Sequence, residues 1–257
     1  MSSAPRSVFD AAADAYDRAR PSYPDGLYEE LERQTGRLAG KLVLDWGAGT
    51  GIASRQLAER GAQVISLDIG EQMLRRARAR RHGSACVLAT GSSMPVRSAA
   101  ADLTTFAQSW HWFEQPAAAA EVARILAPGG WWAAWWNQAT PDAGWWADYQ
   151  RLLTASCPTY RRQHHSADQP PPDWSDPAVL AHGALTPAGR VRIGWIREIR
   201  AEHWLTDDQS KSYIISLEPA ARERVLAEIA AIIGRQFPDG EMTVEYTTSL
   251  QLARKVS

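Results

Sequence analysis

Two carboxylates and a run of alternate glycines are the residues of this chain best placed to do chemistry. Asp45 is followed at once by Gly47, Gly49 and Gly51. Glycines so spaced make a tight turn whose backbone can press on a ligand, because a side chain there would hold the ligand off. An acid just before the turn suits a ligand with an ammonium group or sugar hydroxyls better than one carrying a diphosphate. A second acid, Asp68, lies seventeen residues beyond Gly51. An acid there, at the end of a second strand, accepts both hydroxyls of a ribose. Asp68 could also cap a helix opening at Gly70 and Glu71. The dinucleotide fingerprint is excluded, since the third glycine of G-x-G-x-x-G would fall at Ile52.

These residues need elements to hold them. Leu42, Val43 and Leu44 leave no polar face and read as a buried parallel strand ending at Asp45. Ile52, Ala53, Leu57 and Ala58 recur at helical spacing, so the turn delivers its ligand to a helix N-terminus. Val64 to Leu67 form a second strand, and Met73, Leu74 and Ala77 a helical stripe; Arg75, Arg76, Arg78, Arg80 and Arg81 make its solvated face. A third short apolar run spans Cys86 to Ala89, and a fourth strand with its exit loop spans Asp102 to Phe113. A helix, a Pro-Gly-Gly turn and a fifth strand follow over residues 121–137. Trp131, Trp132, Trp135 and Trp136 place indoles on both faces of that strand, as core filling or, in a sharper reading, as a box for a sulfonium or ammonium. Trp145, Trp146, Tyr149, Leu152 and Leu153 suit an amphipathic helix, whereas Gln169 to Pro177 is too rich in proline to be helical. Alternation over Ile193 to Leu205 predicts a sixth strand. Thr206 to Gln209 then reads as the cap of a helix carrying Tyr213, Ile214 and Leu217. A helix over Ala220 to Arg235 and a last strand over Thr243 to Ala253 close the pattern.

Taken in order, these segments resemble class I S-adenosylmethionine-dependent methyltransferases, in the type 11 subgroup that includes the trans-aconitate methyltransferases. Leu-Asp-Trp-Gly-Ala-Gly-Thr-Gly resembles the family's first motif, and Asp68 to Leu74 its D-x-S-x-x-M-L second motif, with Gly70 in place of serine. Ala89 to Pro95 is similar to a segment whose residue at Thr90, with its successor, receives an adenine edge. Thr90 has a hydroxyl where many relatives place aspartate. Ala107, Gln108, His111, Trp112 and Phe113 reproduce the subgroup's A-Q-A-x-H-W-F, and Phe9, Ala12, Tyr16, Arg20, Pro21, Tyr23 and Pro24 resemble its opening arm.

The resemblance implies a Rossmann-like, doubly wound α/β fold: a seven-stranded, mostly parallel sheet with the last strand antiparallel, plus helical cap insertions. One domain over 1–257 would divide into an arm (1–35), a cofactor core (36–137), a cap (138–190) and C-terminal strands and helices (191–257). S-adenosylmethionine would be held by Tyr16, Arg20, Asp45, Gly47, Ala48, Gly49, Asp68, Ile69, Met73, Thr90, Gly91, Ser92, Gln108 and Ser109. Arg20 suits the methionine carboxylate, because a guanidinium fork binds carboxylate with two parallel bonds. The acceptor would be a small molecule offering a hydroxyl, carboxylate or amine, packed by Trp110 and Trp112, with His203 and Tyr213 as weaker contacts. His111, with an ordinary pKa of roughly 6.5, suits a general base; its alternative role is only to orient the acceptor or shape the loop.

Composition narrows the partners. Lys plus Arg number 28 against 29 Asp plus Glu, so no basic excess points to nucleic acid. No apolar run reaches the roughly 18 residues needed to span a membrane. The first residues lack the apolar core of a secretory signal, and the two cysteines, Cys86 and Cys157, lack CxxC spacing. These features predict a cytoplasmic protein, monomer or homodimer, without a metal-ligand cluster. Two other function classes compete: a protein of the same fold that binds S-adenosylmethionine but has a non-methylating or regulatory role, since a fold does not fix a reaction, and a nicotinamide dehydrogenase, which Ile52 disfavours.

Overall fold

A computed structural model describes residues 21–79, 85–91, 94–141, 144–160 and 183–256. Its first half alternates helix and strand. Helix α1 (Asp25–Thr35) leads into β1 (Leu42–Trp46), α2 (Ile52–Glu59), β2 (Gln63–Asp68), α3 (Glu71–Ala79) and β3 (Ala85–Leu88). Then come β4 (Ala101–Ala107), a 3-10 turn (Trp110–Trp112), α4 (Gln115–Ile125) and β5 (Leu126–Ala139). The second half holds α5 (Gly144–Ser156), β6 (Leu185–Arg200), α6 (Ala201–Gln209), α7 (Ser212–Ile215), α8 (Pro219–Gln236) and β7 (Glu241–Lys255).

Seven strands form one sheet in the order β3-β2-β1-β4-β5-β7-β6. All neighbouring pairs from β3 to β5 are parallel, while β7 runs antiparallel to both β5 and β6. The expected doubly wound sheet with its last strand reversed is therefore the observed one. From β1 the chain winds outward to β2 and β3, then crosses back to β4 on the other side. Ligands in such sheets bind beyond the carboxyl ends of the strands where this reversal occurs.

The indoles of β5 follow the strand's two-residue period. Trp132 and Trp136 join Leu44, Trp46, Phe106 and Trp110 on one face, under α4. Trp135 joins Leu27, Tyr28 and Leu31 of α1, and Ala53 and Leu57 of α2, on the other. Trp132 and Trp135 are almost wholly buried, so their role is core filling and not an aromatic box. A third core lies past the end of β5, where Trp145, Trp146, Tyr149 and Leu153 of α5 meet Trp204 and the buried stripe of α8.

Three sequence expectations are corrected here. The sixth strand begins earlier, at Leu185, and ends at Arg200 instead of Leu205. Residues 201–209 are helical because Trp204, Asp207 and Asp208 fall on one buried helical face. Thr206 to Gln209 thus ends a helix and does not cap the next. The Pro-Gly-Gly turn lies within the bounds of β5, where the β4–β5 register shifts between Ala101 and Leu103. The proline-rich Gln169 to Pro177 lies outside the described residues.

Candidate functional site

The glycine turn is built by backbone geometry. Gly47, Gly49 and Gly51 have φ of 68°, 58° and 81°, in the left-handed region that other residues enter only with strain. Gly47 and Ala48 donate to the carbonyl of Leu67 at 2.8 and 3.0 Å, which moors the turn to β2. A Cβ on Gly47 would lie 2.7 Å from that of Ser109, whereas one on Gly49 would meet nothing within 4 Å. One glycine admits a neighbouring loop, and the other faces open space.

Asp68 joins the turn to the next helix. Its Oδ2 accepts the Gly49 amide at 2.8 Å, and its Oδ1 accepts the Gly70 amide at 2.7 Å. A carboxylate has about four lone-pair sites, so these two bonds alone do not saturate it. Ile69, beside it, is an exposed apolar side chain, 49% accessible. Thr90 is exposed and Gly91 half-buried at the end of β3, whereas Met73 is buried on the inner face of α3. A Cβ on Gly91 would fall 2.1 Å from the Phe113 ring, so the loops after β3 and β4 touch there.

Asp45 departs from its expected role. Its carboxylate is fully buried, so no surface of it can meet a ligand directly. Oδ2 accepts the Ser54 hydroxyl at 2.6 Å and Oδ1 accepts that of Thr105 at 2.9 Å, while Ser66 donates on to Ser54 at 2.8 Å. The acid therefore ties β1 to α2, β2 and β4 beneath the turn. Burial pushes its pKa up to about 6, although both hydroxyls pull it down.

The loop after β4 enters through a strained residue. Gln108 has φ 58°, and its amide donates to the Trp135 carbonyl at 2.9 Å. A non-glycine residue there costs about 1–2 kcal/mol, a cost that turns the chain so that the Ser109 hydroxyl can reach the Trp46 carbonyl. The 3-10 turn that follows divides its side chains. Trp110 is fully buried, edge-on to Phe106 and Trp132 at 4.7 and 5.3 Å between centroids. It anchors the loop, and the expectation that it packs on an acceptor is corrected. Trp112 is 55% exposed. His111 is exposed as well, and its Nδ1 accepts the indole N–H of Trp136 at 3.3 Å.

The remaining expected residues scatter. His203 is exposed on α6, beside the buried Trp204. Tyr213 packs against the core between α5 and α8, its ring 5.0 Å from that of Tyr160. Tyr16, Arg20 and Ser92 lie outside the described residues.

Two contributors had not been singled out in the sequence. Phe113 was only part of a motif, although a glycine at 91 is the trace of its ring. Asn137 donates to the Ser22 carbonyl at 3.4 Å and accepts from Thr248 at 2.6 Å, which ties the start of the described chain to the carboxyl half of β5. A polar residue directly after four strand tryptophans was its signal. Among the described residues, no cluster of His, Cys, Asp and Glu could hold a metal, and no helix is long and apolar enough to cross a membrane.

Known proteins are similar to this chain in sequence and fold. Residues 44–134, from β1 into β5, match a family described as Methyltransferase domain. An uncharacterized methyltransferase of Mycobacterium tuberculosis is 28% identical over 225 residues, covering 88% of this chain and 85% of the relative. A malonyl-(acyl-carrier protein) O-methyltransferase of Serratia marcescens is 36% identical over 125 residues, 48% of this chain and 49% of that protein. A solved structure described as a type II methyltransferase, from Anaeromyxobacter dehalogenans, superposes with a TM-score of 0.67 at 23% identity, over 92% of this chain and 97% of that one. The matched segment and the relatives make this chain similar to methyltransferases, and its sheet is that of a Rossmann-like methyltransferase fold.

Proposed function

We propose that the protein transfers a methyl group from S-adenosylmethionine to a small-molecule acceptor. The observation that carries this reading is the pairing of an open space beside Gly49 with the Asp68 carboxylate, both at the carboxyl ends of β1 and β2. When bound, S-adenosylmethionine supplies a sulfonium methyl already activated for in-line displacement. Gly47 to Gly49 would let the backbone approach the cofactor, and Asp68 would accept the ribose hydroxyls. Ile69 and Thr90 to Ser92 would hold the adenine, and Gln108 and Ser109, with Arg20 and Tyr16, the methionine end. The protein's remaining task is to align the acceptor and exclude water. Trp112, exposed on the loop after β4, supplies an apolar wall, and His111 beside it orients the acceptor atom. An oxygen acceptor is favoured, because the Serratia relative is named as an O-methyltransferase.

Incubation with methyl-labelled S-adenosylmethionine and a panel of small acids, alcohols and amines tests the reaction, and calorimetry tests the cofactor. Gly49→Val should abolish binding, since its side chain would fill the open space. Absence of binding to the wild type at millimolar cofactor would overturn the reading. Binding without transfer to any acceptor would favour the non-methylating alternative.

A further inference from the structure

His111 was weighed as a general base, but the hydrogen bond it makes points to a different state of the ring. Trp136 sits on β5 with its indole 6% exposed, packed in the same core as Trp110 and Trp132. The 3-10 turn carrying His111 is pinned by the buried Trp110 and by the Trp112 amide donating to the Ser109 carbonyl at 2.9 Å. Both partners of the Trp136–His111 contact are thus placed by the core. An indole nitrogen can only donate, and a neutral imidazole has one donor and one acceptor nitrogen. Nδ1 accepts the indole proton, so it carries the lone pair and Nε2 carries the hydrogen.

We propose that Trp136 is a positioning residue that holds His111 as the neutral Nε2–H tautomer. His111 then presents a hydrogen-bond donor to the acceptor molecule, where a base would have to present a lone pair. Protonating Nδ1 would set one N–H against another and forfeit the indole bond. The tautomer assignment rests only on this geometry; the role toward an acceptor rests on the methyl-transfer reading above. In that setting the Nε2–H can hold an acceptor oxygen in line for attack, as suits an oxygen that is already anionic or loses its proton elsewhere.

The first test needs no substrate. Two-bond proton–nitrogen NMR on 15N-labelled protein, at a pH of about 8.5 where an ordinary histidine is neutral, reads the two ring nitrogens, with His111→Ala identifying the resonances. The wild type should show a pyridine-like Nδ1 and a pyrrole-like Nε2 without averaging. Trp136→Phe, which keeps an aromatic ring but removes the donor, should draw the two shifts toward each other as the tautomers exchange. A proton on Nδ1 in the wild type, averaged shifts, or no change in Trp136→Phe would each overturn the lock. Should Trp136→Phe fail to fold, the wild-type spectrum alone decides.

The second test uses turnover on an established acceptor. His111→Gln places an amide N–H near the Nε2 position and cannot act as a base, so it should keep more kcat than His111→Asn, whose amide falls near Nδ1. Equal, complete loss in both variants would overturn the donor role while leaving the tautomer result standing. Failure of methyl transfer in the wild type would count against the reading beneath it and leave the NMR outcome untouched.

Discussion

At the scale of single residues, burial decides what a charged group can do. Asp45 looked in the sequence like a ligand contact, because an acid beside glycines is legible and its burial is not. The hydroxyls that satisfy it, Ser54 and Thr105, come from α2 and β4 and share no motif with it. Its pKa of about 6 exceeds the ordinary 3.8, so the native state holds this proton more tightly than the unfolded chain. The corresponding stability is complete below the unfolded value and is lost as pH rises through about 6. Asp45→Asn cannot ionise, and both hydroxyls can rotate to suit an amide. Its melting temperature relative to wild type should therefore climb between about pH 3 and pH 7, by the equivalent of up to roughly 3 kcal/mol, and level off above. A difference that stays constant across that range would show that Asp45 is ionised without penalty. Gly91 is the converse case, legible as a glycine but without its reason. Gly91→Ala would drive a Cβ into the Phe113 ring, which also packs on Phe106 at 5.4 Å between centroids. Overpacking of this kind costs about 1–3 kcal/mol, measurable by denaturant unfolding. An unchanged midpoint would mean that Phe113 swings away freely.

At the scale of elements, the strands and helices with apolar stripes were readable, and the helix that was misread as strand was polar. Helix α8 carries Val225, Ile229, Ile232 and Ile233 on its buried side, a spacing plain in the sequence. Helix α6 buries Trp204 with Asp207 and Asp208, so its inner face is mostly acidic and the alternation of β6 seemed to run on. What makes that burial tolerable is pairing. Lys211 lies 3.3 Å from Asp207 and 3.1 Å from Asp208, and the Tyr149 hydroxyl donates to Asp208 at 2.6 Å. Burial raises the Asp208 pKa, while Lys211 and the Tyr149 bond oppose the rise. Removing the phenol by Tyr149→Phe should cost about 1–3 kcal/mol, the range for a buried acceptor stripped of a donor. The bond favours the ionised carboxylate, so the loss should grow as pH rises through the Asp208 titration. Unfolding measured on both sides of that titration checks the sign. A loss that shrinks with pH would place the proton on Asp208 and reverse the direction of the bond.

For the whole molecule, the candidate site lies where the sheet reverses its winding between β1 and β4. No single segment contains it: the glycine turn, Asp68, Gly91 and the Gln108 to Phe113 loop come from four strands, drawn together at their carboxyl ends. The order of motifs in the sequence was enough to anticipate that meeting, since each motif sits where a strand ends. It could not show which indoles would face inward, because Trp110 and Trp112 are equal in type and differ only in the direction of a 3-10 turn. A ligand gripped by loops from several strands stabilises all of them, by about 2.7 kcal/mol at a hundredfold excess over its dissociation constant. For a chain of this size that corresponds to a rise of roughly 5–10 °C in melting temperature. S-adenosylhomocysteine should produce such a rise in the wild type. Asp68→Ala acts twice in this frame. It strips an acceptor from the Gly49 and Gly70 amides, so the unliganded protein should melt lower. It also removes the acceptors proposed for the ribose, where charge-assisted bonds contribute about 1.5–3 kcal/mol, so affinity should weaken by roughly tenfold to a hundredfold. At the same ligand concentration the rise should then shrink to about half or less. A lower starting temperature with the full ligand-induced rise would confine Asp68 to bracing the turn, and the ribose would need another partner.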